Sequence, residues 1–410
     1  MYAGQFPPRS ELNRSSDVDS TALKRSWERV TAAGDQVPLF FYSHLFLSRP
    51  ELRTMFPVTM AAQRDKLVGA LGRIVSNVDQ LEEVTPFLMQ LGRDHRRFAV
   101  VADHYDTVGA SLIATVKHFM GSSWSNQLGN AWTDAYNVIA DVMVKAAAES
   151  AATSPAWWAA DVVDIENRTL DVAVLQLHPQ RPFSYLPGQS ISVETSLCPR
   201  LWRYFSPANA PRDDGTIELH VQVVAGGQVS GALAHSVKAG HTVRLGPPVG
   251  NRLTRRQGDH RDVLMVAGGT GLAPLRAVLE QIDQEWLADG VAPDVHLFHG
   301  GRTAWDLYEH DQLRHLARRP WFHYTGVASE DPSFPGESGL VGTVAARSRQ
   351  WRGRSGLICG SPGMVSHAVA ELTAAGMPRG DLRYEELSTV VEPPGPRQLS
   401  GRYPRQVAGM

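Results

Sequence analysis

The sequence predicts a multidomain fold: an all-α domain, then a small antiparallel β-barrel, then a doubly wound α/β domain. Three observations carry this. Apolar residues recur at three- and four-residue spacing up to about residue 150. From about 157, short alternating stretches are punctuated by Gly and Pro, and from about 257 strand-like and helix-like segments alternate. A length of 410 residues fits two or three domains.

Residues 1–20 are rich in Ser, Pro and charge, lack an apolar leader segment, and are expected to form a disordered tail. Helices follow over 21–150: Leu39, Tyr42, Leu45, Phe46; then Leu67, Leu71, Ile74, Val78; then Leu128, Trp132, Tyr136, Ile139, Met143. Thr85-Pro86 reads as an N-cap with proline at the first helical position. The stretch AAAESAATSPAW ends the helical region and links it to the barrel, residues 157–256, with strands in YLPGQSISVE, GTIELHVQVV and HTVRLGPPVG. Over 257–390, strand DVLMVAG runs into helix APLRAVLEQI, DVHLF into a polar helix, and GLICG into MVSHAVAEL. Residues 391–410 carry no helical or strand period and are expected to be a second disordered tail.

Composition excludes several classes. Hydrophobic residues at 43% and charged residues at 20% rule out a wholly disordered chain. A net charge of −2 leaves no electrostatic footprint for nucleic acid or an anionic membrane. No apolar run is long enough to span a bilayer. Cys198 and Cys359 cannot build a disulfide framework and fit a reducing cytoplasm. A cytoplasmic monomer acting on small molecules is expected.

Chemistry gathers at several motifs. Gly268-Gly269-Thr270-Gly271-Leu272-Ala273-Pro274 follows a strand and opens a helix, where backbone N–H groups and the helix N-terminus suit a dinucleotide pyrophosphate. Arg203-Tyr204-Phe205-Ser206 joins a cation for phosphate, aromatic faces for a ring and a hydroxyl. Upstream lies Leu186-Pro187-Gly188-Gln189-Ser190. Downstream, Gly226-Gly227-Gln228-Val229-Ser230 forms a backbone nest with a hydroxyl. Cys359-Gly360-Ser361-Pro362-Gly363-Met364 ends the last strong strand. In this order the motifs resemble the ferredoxin–NADP reductase superfamily over about 157–390. That resemblance implies FAD on the first three segments and NADH or NADPH on the glycine turn and on Cys359-Gly360, with Ser206 near the flavin N5. It also implies that Glu386 and Leu387 lie beside the flavin, Leu387 where an aromatic shield is usual.

In the helical half, Tyr42, Gln63, His95 and Tyr105 all fall on apolar faces, a costly polar set unless a polar guest sits among them. The strings FFYSHLF, PELRTMF, QRDKL, GRDHRRF, HYDTVGASLIATV and NAWTDAYNVIADVM resemble the globin of flavohaemoglobins. By that resemblance His95 is the proximal ligand of haem b iron, and Tyr42 and Gln63 are distal donors to O2. Phe56 and Leu67 would pack on the haem, and Tyr105 would hydrogen-bond the far nitrogen of His95. Two departures stand out: Ala147 occupies the position of a usual glutamate, and Asp94 that of a usual lysine. The resemblance implies a nitric oxide dioxygenase converting NO and O2 to nitrate. The alternatives are a haem–flavin oxidoreductase with another acceptor (lipid peroxide, quinone or small organic substrate) or an O2 or redox sensor.

Overall fold

The computed structural model describes residues 20–385; the two expected tails, apart from Ser20, and Glu386 and Leu387 lie outside the described residues. Six α-helices come first: α1 (Ser20–Thr31), α2 (Gln36–Ser48), α3 (Ala61–Ser76), α4 (Leu81–His95), α5 (Ala102–Met120) and α6 (Asn126–Thr153). Their apolar faces meet in a core that includes Leu23, Trp27, Phe41, Leu45, Val116 and Trp132. One buried polar group there is satisfied internally: Trp132 Nε1 donates to Ser26 Oγ at 3.0 Å, and Ser26 Oγ donates to the Leu23 carbonyl.

Helix α4 starts earlier than Thr85-Pro86 suggests. It begins at Leu81, with Glu82 and Glu83 favouring the positive N-terminus, and Pro86 lies inside it. Proline in the second turn forfeits one backbone bond, and the Thr85 hydroxyl reaches back to the Leu81 carbonyl at 2.7 Å rather than capping a new start.

Two glycines let the helices close. A Cβ on Gly92 of α4 would stand 2.3 Å from the Met143 carbonyl oxygen of α6, so the helices cross backbone on backbone. On α5, a Cβ at Gly109 would stand 2.5 Å from the Tyr136 ring. Helix α6 ends at Thr153, ahead of Ser154-Pro155, where the sequence places the linker.

Then come β1 (Trp158–Asn167), β2 (Val172–Pro179), β3 (Ile191–Thr195), β4 (Arg203–Phe205), β5 (Ile217–Gln222), the short helix α7 (Gln228–His235) and β6 (Thr242–Leu245). The strands form a nearly closed antiparallel sheet, order β4-β3-β6-β1-β2-β5, with Leu175 opposite Leu219 and Val193 opposite Leu245.

The last part holds β7 (Val263–Gly268), α8 (Leu272–Asp289), β8 (Val295–Gly301), α9 (His310–Leu316), β9 (Phe322–Ala328), β10 (Glu337–Ser338), α10 (Val341–Ser348), β11 (Ser355–Cys359), α11 (Pro362–Ala374) and β12 (Leu382–Tyr384). All six strands are parallel, order β10-β9-β8-β7-β11-β12. Alternation along β7 feeds two cores. Val263, Met265 and Ala267 pack under α8, while Leu264 and Val266 pack with α10 and α11. Strand order reverses between β7 and β11, and at such a switch point a crevice opens beyond the strand C-termini.

Gly92→Val forces a branched side chain into the α4–α6 crossing and should cost about 1–3 kcal/mol. Gly69→Ala, in α3 with nothing within 4 Å of the added carbon, should instead stabilise by about 0.5–1 kcal/mol. Urea unfolding of the helical part, followed by circular dichroism, should show midpoints moving in opposite directions; equal midpoints would mean that α4 and α6 can part without penalty.

Candidate functional site

His95 is the last residue of α4, one turn after Leu91, and its Nδ1 lies 2.6 Å from the Leu91 carbonyl oxygen. A carbonyl only accepts, so Nδ1 carries the proton and Nε2 presents a lone pair. Burial holds the imidazole pKa below its ordinary value, which keeps the ring neutral. His95 lines an apolar cavity among the helices, together with Phe56, Leu67, Leu71, Val108 and Tyr105. Many core neighbours, Phe56 and Leu67 among them, are only partly buried, because one side of each faces this hollow. A neutral imidazole in an apolar cavity is a donor set that fits haem iron, with His95 as the protein ligand.

The distal residues of the sequence reading come together. Gln63 Nε2 donates to the Tyr42 hydroxyl at 3.3 Å, and that hydroxyl donates to the Gln63 carbonyl at 3.4 Å. Tyr42 packs edge-on against Phe56 at 5.5 Å, and burial pushes its phenol up to about 12, so it keeps its proton. Neither residue is part of the cavity wall, where Phe56 stands in front of them.

Tyr105 departs from the expected role. Its ring centroid is 6.4 Å from that of His95, but the Nδ1 partner is the Leu91 carbonyl, one helical turn back, not the phenol. A relay through Tyr105 to position 147 is therefore not built. Glu149, two residues on, is exposed on α6. The residues after His95 act as buttresses. Arg96 donates to Ser150 Oγ at 2.5 Å, and Arg97 donates to Ser192 Oγ of β3 at 2.5 Å while pairing with Asp94 at 3.2 Å. Asp94 thus serves a guanidinium rather than leaving a charge toward the cavity.

In the barrel, Ser190 and Ser206 lie 3.0 Å apart, hydroxyl to hydroxyl. Gln189 is engaged locally: it accepts from Leu186 N and donates to the Gly250 carbonyl, fixing the loop that presents Ser190. Arg203 and Phe205 are half-buried on β4, and Tyr204 is exposed. Helix α7 has Gly227 as N-cap, with no side-chain cap on its first turn. Ser230 Oγ is spent on the turn itself, accepting from Val224 N and donating to the Gly227 carbonyl, and the Val229 side chain is core. These two contribute backbone rather than side chain.

At the switch point the two nucleotide motifs touch. A Cβ on Gly271 would stand 2.4 Å from the Cys359 carbonyl, and one on Gly360 would stand 2.2 Å from the Met364 methyl. Gly269 adopts φ +52, a region that favours glycine. Helix α8 has no side-chain cap, and Leu272, Ala273 and Pro274 are buried beneath the turn, so what the turn offers a phosphate is backbone N–H. Burial pushes the Cys359 thiol up to about 12. Sequence reasoning missed Glu385, which meets Ser190 and lies against Gly250, with its carboxyl held above the usual range by burial. A tail-proximal glutamate gives no sequence signal of being buried.

Family models match in three stretches: Globin over 39–143, Oxidoreductase FAD-binding domain over 160–252, and Oxidoreductase NAD-binding domain over 265–370. The chain is 28% identical over 269 residues to a flavohemoprotein of Bordetella parapertussis, covering 61% of this chain and 66% of that one. The chain therefore spans about two thirds of that relative's length. A flavohemoprotein of Halalkalibacterium halodurans is 26% identical over 326 residues, covering 74% and 78%. The flavohemoglobin of Malassezia yamatoensis, solved with FAD and heme, shares the fold with a TM-score of 0.71 at 16% identity, covering 90% of this chain and 98% of that one. No described helix is long and apolar enough to cross a membrane, and both cysteines are free.

A thiol at about 12 is almost wholly protonated at pH 8. Iodoacetamide at that pH should therefore leave Cys359 unmodified while Cys198 reacts slowly; peptide mass spectra showing equal labelling would place Cys359 in contact with solvent.

Proposed function

From a globin followed by FAD- and NAD-binding modules, in the order of the flavohaemoglobins, we propose that the chain is a flavohaemoglobin acting as a nitric oxide dioxygenase driven by NAD(P)H. The observation that carries this reading is the neutral His95 imidazole, fixed at the Leu91 carbonyl and facing an apolar cavity, with the Tyr42–Gln63 pair behind Phe56. Bound FAD and haem would supply the redox chemistry, turning the two electrons of NAD(P)H into single electrons for the O2-dependent oxidation of NO to nitrate.

The chain's own residues bind, orient and shield. His95 holds its proton on Nδ1, so Nε2 stays available as a ligand. The Leu91 carbonyl adds the modest electron donation of a neutral acceptor, not the strong push of a carboxylate. Such a site suits O2 binding better than cleavage of an O–O bond. Tyr42 and Gln63 hold two donors whose present bonds, at 3.3 and 3.4 Å, are long and easily exchanged for a more negative acceptor. In the reductase half, the positive N-terminal end of α8 and the glycine turn before it receive phosphate charge, and Ser206, paired with Ser190, presents a hydroxyl to the flavin edge. Arg302 is exposed after β8, where a 2′-phosphate would lie, while Asp306 accepts from the Arg302 and Thr303 amides. Its carboxylate is thus committed to the turn, and the sequence RTAWDLY still favours NADH.

The deciding experiment is NADH oxidation by the FAD- and haem-loaded protein in aerated buffer with and without NO. Nitrate formed one-to-one with NO consumed is expected; NADH oxidation indifferent to NO but accelerated by a peroxide or quinone would replace this reading. His95→Ala should abolish haem retention and leave FAD content unchanged. Tyr42→Phe should raise the O2 off-rate about tenfold, the loss of one charge-assisted hydrogen bond of about 1.5 kcal/mol; an unchanged rate measured by flash photolysis would remove Tyr42 from the distal site.

A further inference from the structure

Strand β5 alternates Ile217, Leu219 and Val221 with Glu218, His220 and Gln222. The apolar three are fully buried in the barrel core, as one face of an antiparallel strand should be. The polar three ought then to face water, yet Glu218 is 6% and His220 3% exposed. Each instead meets part of the nucleotide module. Glu218 Oε1 accepts from Arg276 Nη1 of α8 at 2.7 Å and from His220 Nε2 at 3.0 Å. His220 Nδ1 lies 2.8 Å from the Tyr308 hydroxyl. Gln222 Oε1 lies against Gly269, 3.4 Å from where a Cβ would be.

The protons in this chain run one way. Arg276 and His220 hold the Glu218 carboxyl down at about 2, so it is an acceptor only. His220 must therefore donate from Nε2, which leaves Nδ1 to accept the Tyr308 proton, and burial keeps that phenol protonated. Beyond Tyr308 stands His299, completely buried, its ring edge-on to the Tyr308 ring at 5.9 Å. His299 Nε2 donates to the Gly269 carbonyl at 3.2 Å. The Gly269–Gly271 turn is thus held from β8 by His299, with Gln222 of β5 close by, and Tyr308 links His299 to His220 of β5.

Burying this many polar groups where apolar residues would pack is costly unless their geometry is needed. We propose that Glu218, His220 and Tyr308 are positioning residues that fix the nucleotide turn relative to the flavin barrel, and so set how a nicotinamide nucleotide meets the flavin. None of them touches a cofactor in this assignment, which rests on reading the glycine turn as the nucleotide site.

The test uses the full-length, FAD-loaded protein with Tyr308→Phe and His220→Leu, singly and combined. Flavin bleaching at saturating NADH should slow by about fivefold in Tyr308→Phe, the loss of one buried neutral hydrogen bond, and by at least as much in His220→Leu, which also removes the donor to Glu218. The double variant should be no slower than the slower single, because both remove the same bond. FAD content should be unchanged, and the NADH dissociation constant should move less than the rate. Two readouts go beyond turnover: the long-wavelength charge-transfer absorbance of reduced flavin with NAD+ should weaken, and amides over 266–273 should exchange faster with deuterium. Should His220→Leu fail to fold, Tyr308→Phe decides alone, since it deletes a single oxygen. A parental bleaching rate and charge-transfer band in Tyr308→Phe would overturn the inference. Failure of either NADH or NADPH to reduce the parent would instead overturn the nucleotide-site reading, and this inference with it.

Discussion

The helical half is organised by a contact that contains no side chain. At Gly92 the backbone of α4 rests on the backbone of α6, with the Met143 carbonyl where a Cβ would be. That crossing fixes how deep α4 sits, and His95 leaves the helix three residues later. The Leu91 carbonyl, one turn back on α4, is the partner of Nδ1. Ligand depth, ring orientation and tautomer therefore follow from one close approach. The reductase half repeats the device where Gly271 meets the Cys359 carbonyl and brings two phosphate-facing turns together. In both places a site is made by moving main chain closer than any side chain would permit.

Charge is handled differently at the two sites. Around the haem cavity every titratable group that burial affects is kept neutral: His95 loses its proton more readily, and Tyr42 and Tyr105 hold theirs more tightly. Beneath the nucleotide turn, a full carboxylate is retained and matched by Arg276 and Arg212. A buried ion pair is poor value for stability alone but good at defining direction, since each partner accepts only one arrangement. Rigid orientation is what a turn that presents backbone amides to a phosphate needs.

Much of this was legible in the chain. The change of period near residues 157 and 257 marks helices, antiparallel strands and parallel βα units, because side-chain spacing is set by backbone geometry alone. His95 and Leu67 could be read as inward-facing because helical spacing places them on apolar faces, while Phe56 was given a place there only by the resemblance. Contacts that depend on distance between segments were not legible. Nothing in HVQVV indicates that the outer face of β5 is covered, and nothing in GRDH shows that Leu91 rather than Tyr105 takes Nδ1. Pro86 misled for a related reason: proline marks a first turn on average, but packing of α4 against α6 extends the helix past it. At Val229, Leu272, Ala273 and Pro274 the sequence offers backbone, and their side chains are buried.

Trp132 has a consequence outside stability and chemistry. It lines the cavity with its indole pinned by Ser26, and the Trp27 ring lies 6.1 Å away. An indole emits in the near ultraviolet, where a porphyrin absorbs strongly, and energy transfer over such short distances is almost complete. Both tryptophans should therefore be dark whenever the cavity is filled and bright when it is empty. The fold carries an optical gauge of its own occupancy, readable in dilute solution without a label.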